Sequence, residues 1–227
     1  VEDDFTDGDF THNPAWTGDV DDFIVNSDFK LQLSGDETGV SALSTPFGML
    51  PENEWRFWIK LSFSPSANNN ARYYLASDEI DLKSPLNGYF LQFGEGGSED
   101  AIELFRQNGQ DITSICRGSA GLVASSFELG IRVRRDASGN WKVEVDQSGG
   151  EAYQLDAEGF DNTLSVNGSL GVFCKYTSSN STKFYFDDVY AGQWVEDNEP
   201  PDIEHLLATD IQNLDVFFTE AVTVASA

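Results

Sequence analysis

Basic residues are scarce in this 227-residue chain: 13 Lys and Arg stand against 39 Asp and Glu, for a formal charge of −26. A field of that sign repels phosphate backbones and anionic headgroups, so no nucleic-acid partner is expected. Histidine is as thin: His12 and His205 lie far apart, without the paired spacing of a zinc site. No stretch approaches the roughly 18 consecutive apolar residues of a spanning helix, so no membrane span is expected. No charged-then-apolar leader precedes Val1, and the abrupt opening VEDDF predicts a secretory signal already removed, although a mere chain boundary would look the same. There is no G-x-S-x-G and no P-loop; the Gly-rich GEGGSED (94–100) has no helix pattern behind it and carries acids that would repel phosphate. Cysteine is limited to Cys116 and Cys174, each inside a strand-like segment. A buried thiol pair is one reading; in an exported chain the expectation is a disulfide between neighbouring strands, contributing about 3–4 kcal/mol.

What is present is alternation. The stretch from Leu170 to Gly192, LGVFCKYTSSNSTKFYFDDVYAG, reads as two strands joined by a Ser/Asn turn, a closing hairpin with an Asp pair in its second strand. In NEWRFWIKLSFSP, Trp55, Phe57, Ile59, Leu61 and Phe63 share one face, and Arg56, Trp58, Lys60 and Ser62 share the other. Further strands are expected at 23–25, 29–33, 72–76, 89–93, 101–107, 111–116, 127–135, 141–146 and 151–155, with SPLNG (84–88) as a turn and Asp-Ala-Ser-Gly-Asn (136–140) as a hairpin loop. No amphipathic helix is found through residue 195. Many short strands punctuated by Gly, Asn, Ser and Pro argue an antiparallel sandwich. Composition shifts at 196–201, EDNEPP, a linker signature. The strands expected beyond it, 203–209 and 214–219, are too few for a stable domain.

The form F-x-F-D-D-V-x-x-G at 184–192 resembles the last strand of the concanavalin-like lectin/glucanase sandwiches. With DDFTDGDF from Asp3, Trp16, DDFIV from Asp21, LNGYFLQFGE from Leu86, DAIELFRQ from Asp100, RRDASGNW from Arg134 and KYTSSNSTKFYFDDVYAG from Lys175, residues 2 to about 193 resemble a module at the N-terminus of large secreted Bacteroidota proteins. There it precedes Ig-like and lamin-tail domains, often with a type IX secretion signal. PPDIEHLLATDIQNLDVFFTEAV resembles the opening of bacterial Ig-like domains. The resemblance implies an all-β chain: an antiparallel jelly-roll β-sandwich (concanavalin-like) over 1–195, a linker over 196–201, and an incomplete Ig-like domain over 202–227. It implies a secreted or cell-surface location and the outer membrane's type IX secretion machinery as a partner.

Catalysis is judged on SDEIDL (77–82). Retaining glucanases of this fold carry alternate acids, E-x-D-x-x-E, on one strand; Glu79 and Asp81 fit the first two places, but Lys83 and Ser84 stand where the proton-donating carboxylate belongs. A noncatalytic module is therefore expected. For ligand contact, Trp58 flanked by Arg56 and Lys60 is the candidate platform for a pyranose ring, with Tyr73, Tyr89 and Gln92 as companions; a loop such as 84–88 covering Trp58 is the other reading. For metal, the family's fold brings the first and last strands together, which groups Asp3, Asp4, Asp7 and Asp9 with Asp187 and Asp188 as a structural Ca²⁺ site needing six to eight oxygens; the same residues could cap turns. The expected function is recognition of glycans or other cell-surface material, or adhesion to it. The alternatives are a glycoside hydrolase relative and a structural spacer or secretion cargo domain.

Overall fold

The computed structural model describes residues 1–194 and the strands at 203–208 and 214–218. Contacts divide the chain into two units, 1–194 and 195–227. The first unit is built of β1 (Glu2–Asp3), β2 (Thr17–Gly18), β3 (Phe23–Val25), β4 (Leu31–Leu33), β5 (Gly39–Gly48), β6 (Asn53–Leu61), β7 (Asn70–Ser77), β8 (Leu86–Phe93), β9 (Ile102–Gly109), β10 (Asp111–Arg117), β11 (Phe127–Arg135), β12 (Asn140–Asp146), β13 (Gln154–Phe160), β14 (Asn167–Tyr176) and β15 (Phe184–Gln193). Sheet one runs β13-β12-β11-β6-β15-β4-β3, and sheet two β10-β9-β8-β7-β14-β5-β2. The outer edge of β15 is shared: β4 pairs its first half, and β1 pairs beyond the bulge through Glu2 opposite Tyr190 and Asp3 opposite Val189. In the second unit β16 (Ile203–Ala208) pairs antiparallel with β17 (Leu214–Phe218). The linker expected at 196–201 lies outside the described residues.

The core forms where the inner faces of the two sheets meet. Trp55, Phe57, Ile59 and Leu61 of β6 are all fully buried, as the alternation requires. Phe57 lies flat on Tyr73 of sheet two, centroids 3.7 Å apart and planes 1° apart. Trp55 stacks on Trp141 at 5.6 Å, and Tyr89 packs against the same indole while its hydroxyl donates to Asp161 at 2.7 Å. On the outer face of sheet one, Arg132 and Arg134 donate four hydrogen bonds of 2.7–3.1 Å to the carboxylate of Glu144, tying β11 to β12.

Several expectations are corrected. The two strands of 170–192 are not a hairpin: β14 belongs to sheet two and β15 to sheet one, so the Ser178–Asn180 turn carries the chain across the sandwich. Strand β5 escapes the pattern because GVSALSTPFG is rich in small and polar residues. Its buried Ser41 and Ser44 are satisfied by Asp22, Tyr176 and the Ile80 carbonyl, and Pro46 sits where the two-residue β2 leaves the edge open. Strand β8 begins at Leu86, inside the expected turn, and the strand expected at 151–155 lies at 154–160. The disulfide does not exist: Cys116 and Cys174 are free and buried. They share sheet two, but β9, β8 and β7 run between β10 and β14, which at about 4.8 Å per strand separates them by about 19 Å. A disulfide needs Cα atoms within about 7 Å.

Burial, reinforced by nearby acids, pushes the Cys116 thiol up to about 12, and burial raises Cys174 as well. Mass spectrometry after alkylation should therefore find two adducts when the protein is denatured without reductant, and none after brief native treatment. A second expectation concerns Glu144. Burial pushes its carboxyl up, but the hydrogen bonds from Arg132 and Arg134 outweigh it and hold the group below its usual 4.5. A depressed folded-state pKa contributes stability above the unfolded value and loses it as pH falls through the folded one. Glu144→Gln should cost about 1.5–3 kcal/mol at pH 7, the magnitude of charged hydrogen bonds. Denaturant titrations should show the gap to wild type closing below about pH 4.5.

Candidate functional site

The register of sheet one sets the layout of its outer face. Across β15, β6 and β11 the rows are Tyr185–Lys60–Glu128, Asp187–Trp58–Gly130 and Tyr190–Arg56–Arg132. A bulge between Asp187 and Tyr190, with Asp188 at φ 49°, breaks the alternation of β15 there, leaving Asp187 opposite Trp58 and Asp188 exposed at the adjoining cleft. Gly130 leaves room opposite Trp58: a Cβ there would stand 2.0 Å from the carbonyl oxygen of Gly150, so the Asp146–Gly150 turn can lie down on the sheet. That turn and Lys30, whose Nζ lies 4.3 Å from the Trp58 ring centroid and pairs with Asp187, leave the indole only 5% exposed.

Trp58 therefore offers no open face for stacking, and the cover is not the 84–88 segment. What it offers is an edge. Its Nε1 lies beside Gly149 on the wall of a cleft of about 320 Å³ and finds no acceptor among the described residues. Arg56 and the rings of Tyr153 and Tyr190 share that cleft, with the carboxylates of Asp3, Asp4, Glu151 and Asp188 around it. The Arg56 guanidinium lies 4.6 Å over the Tyr190 ring and pairs with Glu54 and Glu151. Burial first, then the charge of Glu151, pushes the Tyr153 hydroxyl up to about 12, so it remains a donor at any ordinary pH. The cleft thus presents N–H and O–H donors, carboxylate acceptors and two half-buried rings.

The other expected ligand contacts scatter. Lys60 is on the same face but pairs with Glu128 at 3.0 Å. Tyr73 and Tyr89 point into the core, fully buried, and cannot touch a ligand. Gln92 is on the outer face of sheet two, accepting from Arg72 at 3.2 Å. Tyr153, Tyr190 and Glu151 were missed by pattern reading. Their signals were glycines: a Gly inside the β11 pattern marks close approach of another backbone, and Gly149-Gly150 supplies it.

Glu79 and Asp81 do not sit on a strand. They follow β7 in an exposed loop, where the Asp81 carboxylate accepts from the Lys83 amide and Lys83 reaches out to Asp19. Asp81 and Asp19 border a shallow hollow there, with the Lys83 ammonium paired to Asp19. The expected metal set is not assembled among the described residues, and several of its aspartates serve their own turns. Asp3 accepts from Trp16 Nε1 and the Phe5 amide, Asp7 from the Asp9 amide, and Asp187 is held by Lys30. Asp9 is drawn down to about 2 by the Thr11 amide first and His12 second. Among the described residues no group of three or more acid, His or Cys side chains could hold an ion. The first and last strands of the unit do meet, joined by the β1–β15 ladder and by the Val1 ammonium donating to the Ala191 carbonyl at 2.8 Å.

No protein-family model matches the chain, and no curated protein matches it. Solved structures do. The Emp47p carbohydrate recognition domain superposes with a TM-score of 0.64 at 13% identity, over 86% of this chain and 95% of that one. The exoplasmic/lumenal domain of VIP36, in its Ca²⁺/Man3GlcNAc-bound form, gives 0.60 at 13% identity, over 82% and 85%. A legume lectin-like domain from Entamoeba histolytica gives 0.55 at 12%, over 82% and 92%. An engineered GH43 glycoside hydrolase gives 0.56 at 13%, but only 41% of that chain is covered. Identities this low establish the fold alone: the unit 1–194 is a legume-lectin-like, concanavalin-like jelly-roll sandwich.

Although VIP36 has been solved with Ca²⁺, the aspartates expected to bind it here form no ion-holding group among the described residues, even though Asp3, Asp4 and Asp188 border one cleft. A chelator should accordingly leave the melting curve unmoved, and a fall in Tm that Ca²⁺ restores would overturn this account of the acidic ends.

Proposed function

We propose that the sandwich is a noncatalytic glycan-recognition module, and that it holds a sugar ring in the cleft beside Trp58. The observation that carries the reading is the unpaired Nε1–H of Trp58 at the wall of a cleft flanked by Arg56, Tyr153 and Tyr190. A pyranose has hydroxyls that both accept and donate and an apolar face for a ring, and a concave site combining a few placed polar groups with aromatics suits it. The fold supports the reading, since similar structures include carbohydrate recognition domains, one of them bound to Man3GlcNAc. Against the hydrolase alternative, Glu79 and Asp81 are loop acids and not neighbours on a strand.

The proposal extends to context. The module acts at the cell surface or after secretion, within a larger protein exported by type IX secretion. The β16–β17 hairpin is the start of an Ig-like domain beyond the linker. These rest on the resemblances in the sequence.

A glycan array on the whole chain, followed by titration calorimetry, tests the site. Trp58→Phe keeps the aromatic filling and removes one donor, so affinity for the array hit should fall about three- to tenfold, one hydrogen bond's worth. Arg56→Ala should reduce it further. Silence on every glycan, or a hit indifferent to both changes, defeats the proposal in favour of a structural spacer.

A further inference from the structure

The outer face of sheet two carries a different chemistry. Across β14, β7, β8, β9 and β10 one row reads Phe173–Arg72–Gln92–Glu103–Arg117, and the next reads Gly171–Tyr74–Phe90–Phe105–Ser114. Arg72 leans over the second row, 4.6 Å from the Phe90 centroid and 5.5 Å from that of Phe173. Its Nε donates to Gln92 and one terminal nitrogen reaches the Tyr74 hydroxyl at 3.5 Å. Lys175 lies on β14 two residues from Phe173, the diagonal neighbour of Arg72, and its Nζ donates to the Ala67 carbonyl at 2.9 Å.

In a chain with three acids for every base, cations should be claimed by carboxylates, and most are. Of the 13 Lys and Arg, only Arg72, Arg135, Lys175 and Lys183 have no carboxylate partner among the described residues. Arg135 is buried over Trp141 and donates to the Pro51 carbonyl, and Lys183 donates to Asn180 in its own turn. The other two line one groove of about 290 Å³, together with Asn70, Gln92 and the half-buried Phe173. Glu95 also borders it, but both its oxygens are taken by Arg117. The groove is thus a locally positive spot, with two cations lacking counter-charges, on a strongly negative molecule.

We propose that this groove is a second binding site, for an acidic saccharide: a sugar carrying one carboxylate or sulfate, held by Arg72 and Lys175, with its ring against Phe173. A planar guanidinium is built to grip such an anion bidentately. The size accommodates one or two rings, and two cations match an isolated charge rather than a nucleic-acid backbone, which the net charge repels. The inference stands on the unpaired cations and not on the cleft beside Trp58.

Titration calorimetry on the whole chain near 0.15 M salt would use a disaccharide with one uronate residue, its methyl ester, a monosulfated disaccharide and inorganic sulfate. Binding of the uronate or of the sulfated sugar is expected, whichever is tighter naming the source of the anion. Esterification should weaken the uronate disaccharide at least tenfold. Arg72→Gln and Lys175→Gln should each weaken the bound acidic sugar at least fivefold, and Trp58→Phe should leave it unchanged, so the two sites fail separately. Since Arg72 also covers aromatic rings, melting curves accompany each variant, and Lys175→Gln, which touches no ring, gives an independent answer. Equal binding of the ester, indifference to both substitutions, no acidic sugar bound, or an adventitious ion only, with sulfate binding and no saccharide, would each overturn the proposal.

Discussion

Strand β6 can turn only one face inward, and four large residues on that face, Trp55, Phe57, Ile59 and Leu61, leave it no choice. Because side chains alternate with a period of two, a slip of one residue would exchange this set for Arg56, Trp58 and Lys60 and place charges in the core. The stack of Phe57 on Tyr73 then locks β6 of one sheet against β7 of the other. Everything else on sheet one takes its position from that register. Gly130 falls opposite Trp58, the Asp146–Gly150 turn settles over it, and the bulge of β15 sets Asp187 beside the indole.

The surplus of acid is handled locally. Many aspartates accept from a backbone amide two residues on, as Asp4, Asp136 and Asp146 do, so their charge is satisfied within a turn and needs no metal. Such Asx-type turns need only a short carboxylate beside a bend; the side chains of Thr6, Asn140 and Ser148 first, with the turn amides behind them, hold Asp4, Asp136 and Asp146 below the usual carboxylate range. Some acids meet bases across neighbouring strands, as Glu144 does with Arg132 and Arg134, and others through loops, as Asp19 does with Lys83. The two outer faces of the sandwich then differ in character. One offers a cleft rich in carboxylates around an indole edge, the other aromatic rows under an arginine with no carboxylate to answer it.

The fold neighbours include both sugar-binding domains and a glycoside hydrolase, so architecture by itself does not choose between binding and catalysis. The choice rests on side chains. A displacement mechanism needs two carboxylates converging on one sugar, and here Glu79 and Asp81 are loop residues.

Alternation, turn residues and charge were enough to call an antiparallel sandwich, to place most of its strands within a few residues and to name the buried face of β6, because these depend on local period and burial. Tertiary structure decided which strands share a sheet, and with it nearly everything about the sites. Periodicity marks a strand but not its neighbours, so nothing local could say that β14 and β15 part into different sheets or that three strands separate Cys116 from Cys174. Nor could it tell inner from outer aromatics where no clear alternation marks the faces: Tyr73 and Tyr89 read as companions of Trp58, and only the packing of two sheets put them in the core. Strand β5, with its serines and proline, lacks an apolar pattern of its own. It is a strand because β14 pairs with it along its whole length.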